Sequence, residues 1–315
     1  MSELAVVILA HSDPKHVQRL VHALEEVPVF LHCDVKTDPQ HYREMSDLPS
    51  RVVMLPRVDT RLSSWTLVLA ELSGLQVALT ATDADHVAVL TGSDYPLVPV
   101  DELVALLARW RGHSYIYNRR LPFPLWSTRL HPDGGEWRSR YAHLSRRGNL
   151  VWFAGHPLHS PVKRKLPPGL ELRASSQWKI YSRDHIQLLL DVADSRPDLM
   201  RFWRSTHTPE ESFAASVLSS AAIVGSRALS PCLANPWYYE FPPGAAHPKW
   251  LSSPDFHRIA AARFAAPIEP AVAFADSEVA PPLQPHRKLF ARKFSSADPE
   301  VLDRIDAELR RWRLR

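Results

Sequence analysis

The side chains of this 315-residue chain that invite a chemical reading are a few carboxylates, a few cations and a group of aromatic rings. Glu210 and Glu211 stand together in Thr208-Pro209-Glu210-Glu211. Read alone, this is a helix start: Thr208 at N-cap, Pro209 first, Glu211 closing a capping box at the third position. A helix N-terminus also favours an ionised carboxylate, the form that a general base needs. Asp83-Ala84-Asp85 has the spacing that can hold a divalent ion on a diphosphate. It precedes an apolar run at 86–90, however, so it falls at the amino end of a strand and reads as a turn. Thr91-Gly92-Ser93-Asp94 follows that run and offers a single carboxylate, too few for a metal cage. Lys249 and Arg292-Lys293 are either solvated basic surface or fixed counter-charges to an anion. Trp237-Tyr238-Tyr239-Glu240, ahead of a Pro-Pro-Gly turn, supplies rings that suit a core or the apolar face of a sugar. Trp178 follows the same logic, with core packing favoured.

Other chemistries lack their signatures. No glycine-rich dinucleotide fingerprint follows the first apolar run, no Walker-type loop exists, and the chain has only ten glycines. There is no HExxH and no CxxC pair. His156 and His159 have no evident companion ligand, so no metal site is expected. The net charge of +4 is mild and spread along the chain. That suits an anionic small ligand better than nucleic acid, for which no arginine-rich arm is present. Lys163-Arg164-Lys165 reads as a solvated turn. Two cysteines, Cys33 and Cys232, point to a reducing compartment and to buried small hydrophobes. The amino-terminal apolar run is too short to span a membrane and has no basic leader. A cytoplasmic protein without integral membrane contact is expected.

Elements must bring these residues together. Apolar runs at 4–10, 28–32, 51–55, 86–90 and 114–117 read as strands. Helical patterns begin at Pro14, with Ser12 or Asp13 as N-cap, and cover 65–80 and 101–110 between them. The alternation predicts an α/β fold with a largely parallel sheet. Ligands of such sheets bind beyond the carboxyl ends of the strands. Those ends carry His11-Ser12-Asp13, Asp34-Val35-Lys36 and Thr91-Gly92-Ser93-Asp94. Residues 119–170 read as a long irregular excursion on the acceptor side. Beyond it, a strand at 176–181 and helices at 183–193, 208–222 and 298–312 are expected. The division expected is 1–118 as a nucleotide-binding half and 119–315 as an acceptor and diphosphate half, continuous as one catalytic domain.

Several segments in order resemble the core-2/I-branching N-acetylglucosaminyltransferase and peptide xylosyltransferase family. They are Ile8-Leu9-Ala10-His11-Ser12-Asp13-Pro14, His32-Cys33-Asp34-Val35-Lys36, Ser64-Trp65, and Leu90-Thr91-Gly92-Ser93-Asp94-Tyr95-Pro96-Leu97. Ser176-Gln177-Trp178 with Ser182-Arg183, Thr208-Pro209-Glu210-Glu211, Ala246-His247-Pro248-Lys249 and Leu289-Phe290-Ala291-Arg292-Lys293-Phe294 complete the set. The pattern is most similar to bacterial, soluble members. The resemblance implies a variant of the A-type glycosyltransferase fold with a loop-rich carboxyl-terminal part. It implies an inverting, metal-independent glycosyltransferase using a UDP-sugar as co-substrate, with no other cofactor. N-acetylglucosamine and xylose are the sugars it suggests, and the acceptor hydroxyl would sit on a secondary metabolite, an oligosaccharide or a peptide.

The resemblance also assigns roles. Glu211 would be the base, with Glu210 as second choice. Donor contacts would fall to His11, Ser12, Asp13, Asp34, Lys36, Ser93, Asp94, Lys249, Arg292 and Lys293. Acceptor contacts would fall to Trp178, Trp237, Tyr239 and Glu210. The chemistry asks for such groups. A placed base contributes about 10²–10⁴-fold. Without a divalent ion, cations must offset the charge on the leaving diphosphate, at roughly 4 kcal/mol gross per pair at about 4 Å. The chain departs from the family at 254–285, an Ala- and Pro-rich insertion read as a lid or acceptor loop, in which Arg258 or Arg263 could also reach phosphate. Two rivals stay open: a non-catalytic nucleotide- or carbohydrate-binding protein of the same fold, and a metal-dependent transferase using Asp94 or the Asp83/Asp85 pair.

Overall fold

The structure is a computed structural model that describes residues 3–311 except 230, 231, 233, 244, 246 and 271–285. Its centre is a five-stranded sheet built from β1 (Leu4–Ala10), β2 (Val29–Cys33), β3 (Val52–Met54), β4 (His86–Thr91) and a strand at Lys179–Ser182. The order runs Lys179–Ser182, β4, β1, β2, β3. The first strand is antiparallel to β4 and the remaining pairs are parallel. The predicted α/β class with a mostly parallel sheet therefore holds.

Every residue of β1 is buried, because both faces of the sheet are covered. Val6 and Ile8 join one core with α1 (Pro14–Ala23), the helix Val100–Ala108 and the helical segments Pro299–Arg304 and Ile305–Arg310. Val7 and Leu9 face the other way, into a core shared with α2 (Trp65–Ala81) and the helix Arg183–Ser195. Gly74 lets α2 lie close on the sheet: a Cβ there would stand 2.6 Å from Val7 Cγ1.

A second, three-stranded sheet decides where the site lies. β5 (Asp94–Pro96), three residues beyond β4, pairs with Phe290–Arg292, which pairs with Trp237–Tyr238. The carboxyl-terminal part of the chain is thus stitched to the ligand edge of the first sheet.

Five expectations change. Residues 114–117 form no strand; Tyr115 makes one bridge to Ile180, and the fifth place in the sheet goes to Lys179–Ser182. The helix expected at 208–222 is broken into a 3₁₀ turn, Pro209–Glu211, and helices at Phe213–Ser219 and Ala221–Val224. The excursion contains a short meander, with Tyr141–His143 paired to His159–Lys163 and smaller hairpins within it. Arg164, expected in a solvated turn, instead donates to Ser139 O, Phe202 O, Ser205 Oγ and Thr206 Oγ1 at 2.7–2.9 Å, tying that meander down. The insertion is no simple loop either: Phe256–Phe264 is a helix whose Ile259 enters the core, while 271–285 lie outside the described residues.

Candidate functional site

The strand ends carry three carboxylates, each held differently. Asp13 caps α1 in a left-handed conformation (φ 54°), accepting from His16 N at 3.2 Å. Its other oxygen accepts from Ser296 N at 2.8 Å, so the chain's far end closes over the loop after β1. Burial raises its pKa, but the hydrogen bonds from Ser296 and His16 outweigh that and leave it below its ordinary value. His11 and Ser12 beside it are exposed.

Asp34, at the end of β2, is buried and accepts from Lys36 N (2.7 Å) and Thr60 N (2.9 Å), with Lys36 Nζ at 2.9 Å. Burial acts to raise its pKa; Thr60 and Lys36 hold it below the ordinary value nonetheless. Arg57 donates to the carbonyls of Asp34 and Val35, both at 2.8 Å, and so fixes the loop. Lys36 also reaches Asp59 at 2.6 Å.

Asp94, at 0% exposure, touches no ligand surface. It accepts from Thr91 N at 2.6 Å and lies 3.3 Å from Arg292 Nη1. Burial raises the Asp94 carboxyl and lowers the Arg292 guanidinium, each shift opposed by the other's charge. The donor contact expected of Asp94 is therefore corrected to a buried counter-charge for Arg292. Gly92 lies tight against the sheet in this turn: a Cβ would stand 3.0 Å from Ala10 Cβ and 3.2 Å from Val17 Cγ2. Ser93 O accepts from Phe294 N at 2.9 Å, which seats the segment after Arg292 against the strand end.

Lys293 and Lys249 lie on adjacent backbones, with Leu251 N donating to Lys293 O at 2.7 Å. Lys293 is half-buried, its ammonium 5.5 Å from the centre of the Trp250 ring; burial and then Arg292 lower its pKa. Lys249 is clamped by Asp255 at 2.7 Å and Glu240 at 2.8 Å, which raise its pKa. Arg258 is tied to Glu240 at 2.8 Å. Arg263 cannot serve a phosphate: it is fully buried, donates to Leu97 O at 3.0 Å and pairs with Glu102.

From Arg292 a line of rings leads to Glu211. The guanidinium stacks over Trp178 at 4.2 Å, Trp178 meets Tyr239 at 5.1 Å, and Tyr239 feels the charge of Glu211. Burial pushes the Tyr239 hydroxyl up to about 12. Trp237 does not join this line. It is buried and stacked on Phe290 at 4.9 Å, a core residue rather than an acceptor contact.

Glu211 is not the capping glutamate of the motif. Thr208 is left-handed (φ 53°) and makes no side-chain cap bond; its N–H donates to Ser63 O at 3.1 Å. The Glu211 side chain, 36% exposed, instead accepts from Arg138 Nη1 at 2.9 Å. Arg138 rests over Trp126 at 4.1 Å. Glu210 points the other way. At 3% exposure it accepts from Ser63 N at 3.0 Å, and Lys179 Nζ binds its backbone carbonyl at 3.0 Å. Burial, then neighbouring Glu211, pushes the Glu210 carboxyl up to about 8. An acceptor contact for Glu210 is corrected accordingly: it is an interior, protonated group at neutral pH.

Beyond Arg138 lies a group of rings. Trp137 stacks on His131 at 4.2 Å, and its ring centre is 4.8 Å from that of His207, which in turn lies 5.5 Å from His143. Burial lowers His143 to about 4 and His207 to about 3, so both are neutral at pH 7. Among the described residues, no group of three or more His, Cys, Asp or Glu side chains could hold a metal ion. Asp83-Ala84-Asp85 does lie at the amino end of β4, with Asp85 paired to Arg111. Arg138, Arg57, Thr60 and Lys179 escaped the sequence reading. Only Trp137-Arg138, an aromatic–cation pair in the irregular excursion, carried a visible mark.

A family model described as Core-2/I-Branching enzyme matches residues 5–250. Xylosyltransferase 1 from Homo sapiens and that from Pan troglodytes are each 23% identical over 227 residues, 69% of this chain and 22% of theirs. The chain thus matches under a quarter of the length of these relatives. The solved structure of HddC from Yersinia pseudotuberculosis aligns at a TM-score of 0.27 and 12% identity, over 58% of this chain and 79% of that one. So loose a superposition carries no argument.

Proposed function

We propose that this chain, which belongs to the core-2/I-branching enzyme family, is a glycosyltransferase that moves a sugar from a uridine diphosphate donor to an acceptor hydroxyl, with inversion and without a metal. One observation carries the reading: Glu211, released from the cap its motif suggests, presents a carboxylate at the surface, fixed by Arg138. In the step proposed, the acceptor oxygen attacks the anomeric carbon while Glu211 takes its proton. The bond from that carbon to the diphosphate oxygen breaks, and the leaving group keeps the electron pair. Glu210, protonated beside it, adds no second negative charge.

The leaving charge is met by Lys293 and by Lys249, which exchanges Asp255 and Glu240 for phosphate. Arg292 stiffens the cradle from behind, with Asp94 as its partner. The metal-free reading draws support from the donor set. Asp94 is spent on Arg292 and Thr91, and the Asp83/Asp85 pair is at the wrong end of its strand. Residues 1–118 would bind the nucleotide and 119–315 the acceptor and diphosphate. N-acetylglucosamine and xylose are the donor sugars favoured, the latter in keeping with the xylosyltransferase relatives. A cytosolic setting fits two free, buried cysteines. No helix among the described residues is long and apolar enough to cross a membrane.

The test is turnover by the purified chain with UDP-N-acetylglucosamine and UDP-xylose over an acceptor panel, with and without chelator. Transfer that survives EDTA is expected. Complete loss on chelation, restored by Mn²⁺, would overturn the metal-free step; nucleotide binding with no turnover would favour a binding protein.

A further inference from the structure

The excursion is far more charge-biased than the rest of the chain. Residues 119–165 hold ten lysines and arginines against two carboxylates, a net +8, while all other residues together carry −4. Arg129, Arg146, Arg147, Lys163 and Lys165 are exposed, and neither Asp133 nor Glu136 is. The same stretch bares apolar side chains. Seven of the fourteen large hydrophobics exposed among the described residues lie in it, Phe153 and Val162 at 71% each.

The meander brings both kinds of residue together at its turns and its outer strand. His143 and His159 are register partners whose rings meet at 5.3 Å. Leu144 and Leu158, their chain neighbours, are exposed. They are adjacent, with Leu144 N donating to Leu158 O at 2.8 Å. Phe153 borders the tight turn at Ala154-Gly155, where both residues have positive φ. Arg146 and Arg147 lie at the turn of another hairpin, and Val162 and Lys163 are consecutive in the strand His159–Lys163. Apolar side chains left in water over a patch of this kind need a partner. The single sign of the flanking charge says what sort.

We propose that this face docks on the surface of an anionic bilayer, with Leu144, Phe153, Leu158 and Val162 entering the headgroup region and Arg146, Arg147, Lys163 and Lys165 meeting lipid phosphates. Apolar insertion combined with attraction to acidic lipids is how monotopic surfaces hold. A protein partner is the weaker occupant, because neither carboxylate of residues 119–165 is exposed to set up a mixed-charge rim. The docking does not depend on the transferase reading and is tested without turnover.

The experiment is cosedimentation of the full chain with vesicles of phosphatidylcholine alone or mixed with phosphatidylserine. Binding to the mixed vesicles is expected, and it should be lost at about 0.5 M NaCl, where screening is nearly complete within a few ångströms. Phe153→Ser with Val162→Ser, and separately Arg146→Glu with Lys163→Glu, should each weaken it roughly ten-fold. Unchanged thermal unfolding would show that both variants keep their fold. Equal binding to both vesicle types, or wild-type binding by both variants, overturns the proposal. So does a concentration-dependent dimer that Phe153→Ser abolishes in a chain that ignores vesicles, which would assign the face to a second copy.

Discussion

The strand-end edge and the turn that carries Glu211 both rest on carboxylates, yet they treat them in opposite ways. At the edge, Asp13 and Asp34 each collect several donors and are held below their ordinary pKa. Asp94 is sealed in with a guanidinium. In the Glu210–Glu211 turn the donors are few. Glu211 has Arg138, and Glu210 has one backbone N–H, with its second oxygen buried and unbonded. Groups saturated by partners hold a structure together; a group with spare lone pairs at a surface is available for chemistry.

The contrast can be broken most sharply at Glu211. Glu211→Gln should lower kcat by about 10²–10⁴ with little change in unfolding midpoint, measured by steady-state transfer and denaturant titration. Near-normal turnover would remove Glu211 as the base. At the edge the outcome should be inverted. Asp94→Asn leaves Arg292 buried without its counter-charge, and should cost about 3–5 kcal/mol in urea unfolding. Loss of activity with wild-type stability would instead make Asp94 part of the reaction.

Glu210 offers a pH test. Its folded pKa, about 8, lies above the ordinary glutamate value of about 4.5. Between those values the folded state holds a proton that the unfolded chain has released, so stability must fall as pH rises through the window. Glu210→Gln should remove that slope, gaining on the order of 2–4 kcal/mol at pH 8.5 and nothing at pH 4. Thermal melts across that range would show it. The smallest effect is expected at Thr60→Val, which strips one of several donors from Asp34. A cost of about 1 kcal/mol and a raised donor KM, with kcat unmoved, would mark the loop as binding rather than catalytic.

The legible part of the molecule was the part written in short-range pattern. The uniformly apolar β1, the Asp13-Pro14 cap and the strand ends could be read from neighbours in the chain. Residues 114–117 show the limit. Their buried Tyr115 and Ile116 are as apolar as a strand requires, but Lys179–Ser182 takes the place beside β4. Thr208-Pro209-Glu210-Glu211 has the composition of a capping box. The bond from Thr208 to Ser63, distant in sequence, fixes a left-handed residue there instead. Arg138 and Arg164 lie in a stretch with no period at all, and only tertiary packing reveals what they hold. Trp237 and Tyr239, two residues apart, went to different fates because one faces Phe290 and the other Trp178.

The pairing of β5 with Phe290–Arg292, together with the bond from Ser296 to Asp13, also has a consequence for synthesis. The strands β1, β2 and β4 are synthesised well before Phe290–Lys293, so the edge they form is completed only when that later segment arrives. A chain that stops before residue 290 lacks Arg292 and Lys293 at that edge.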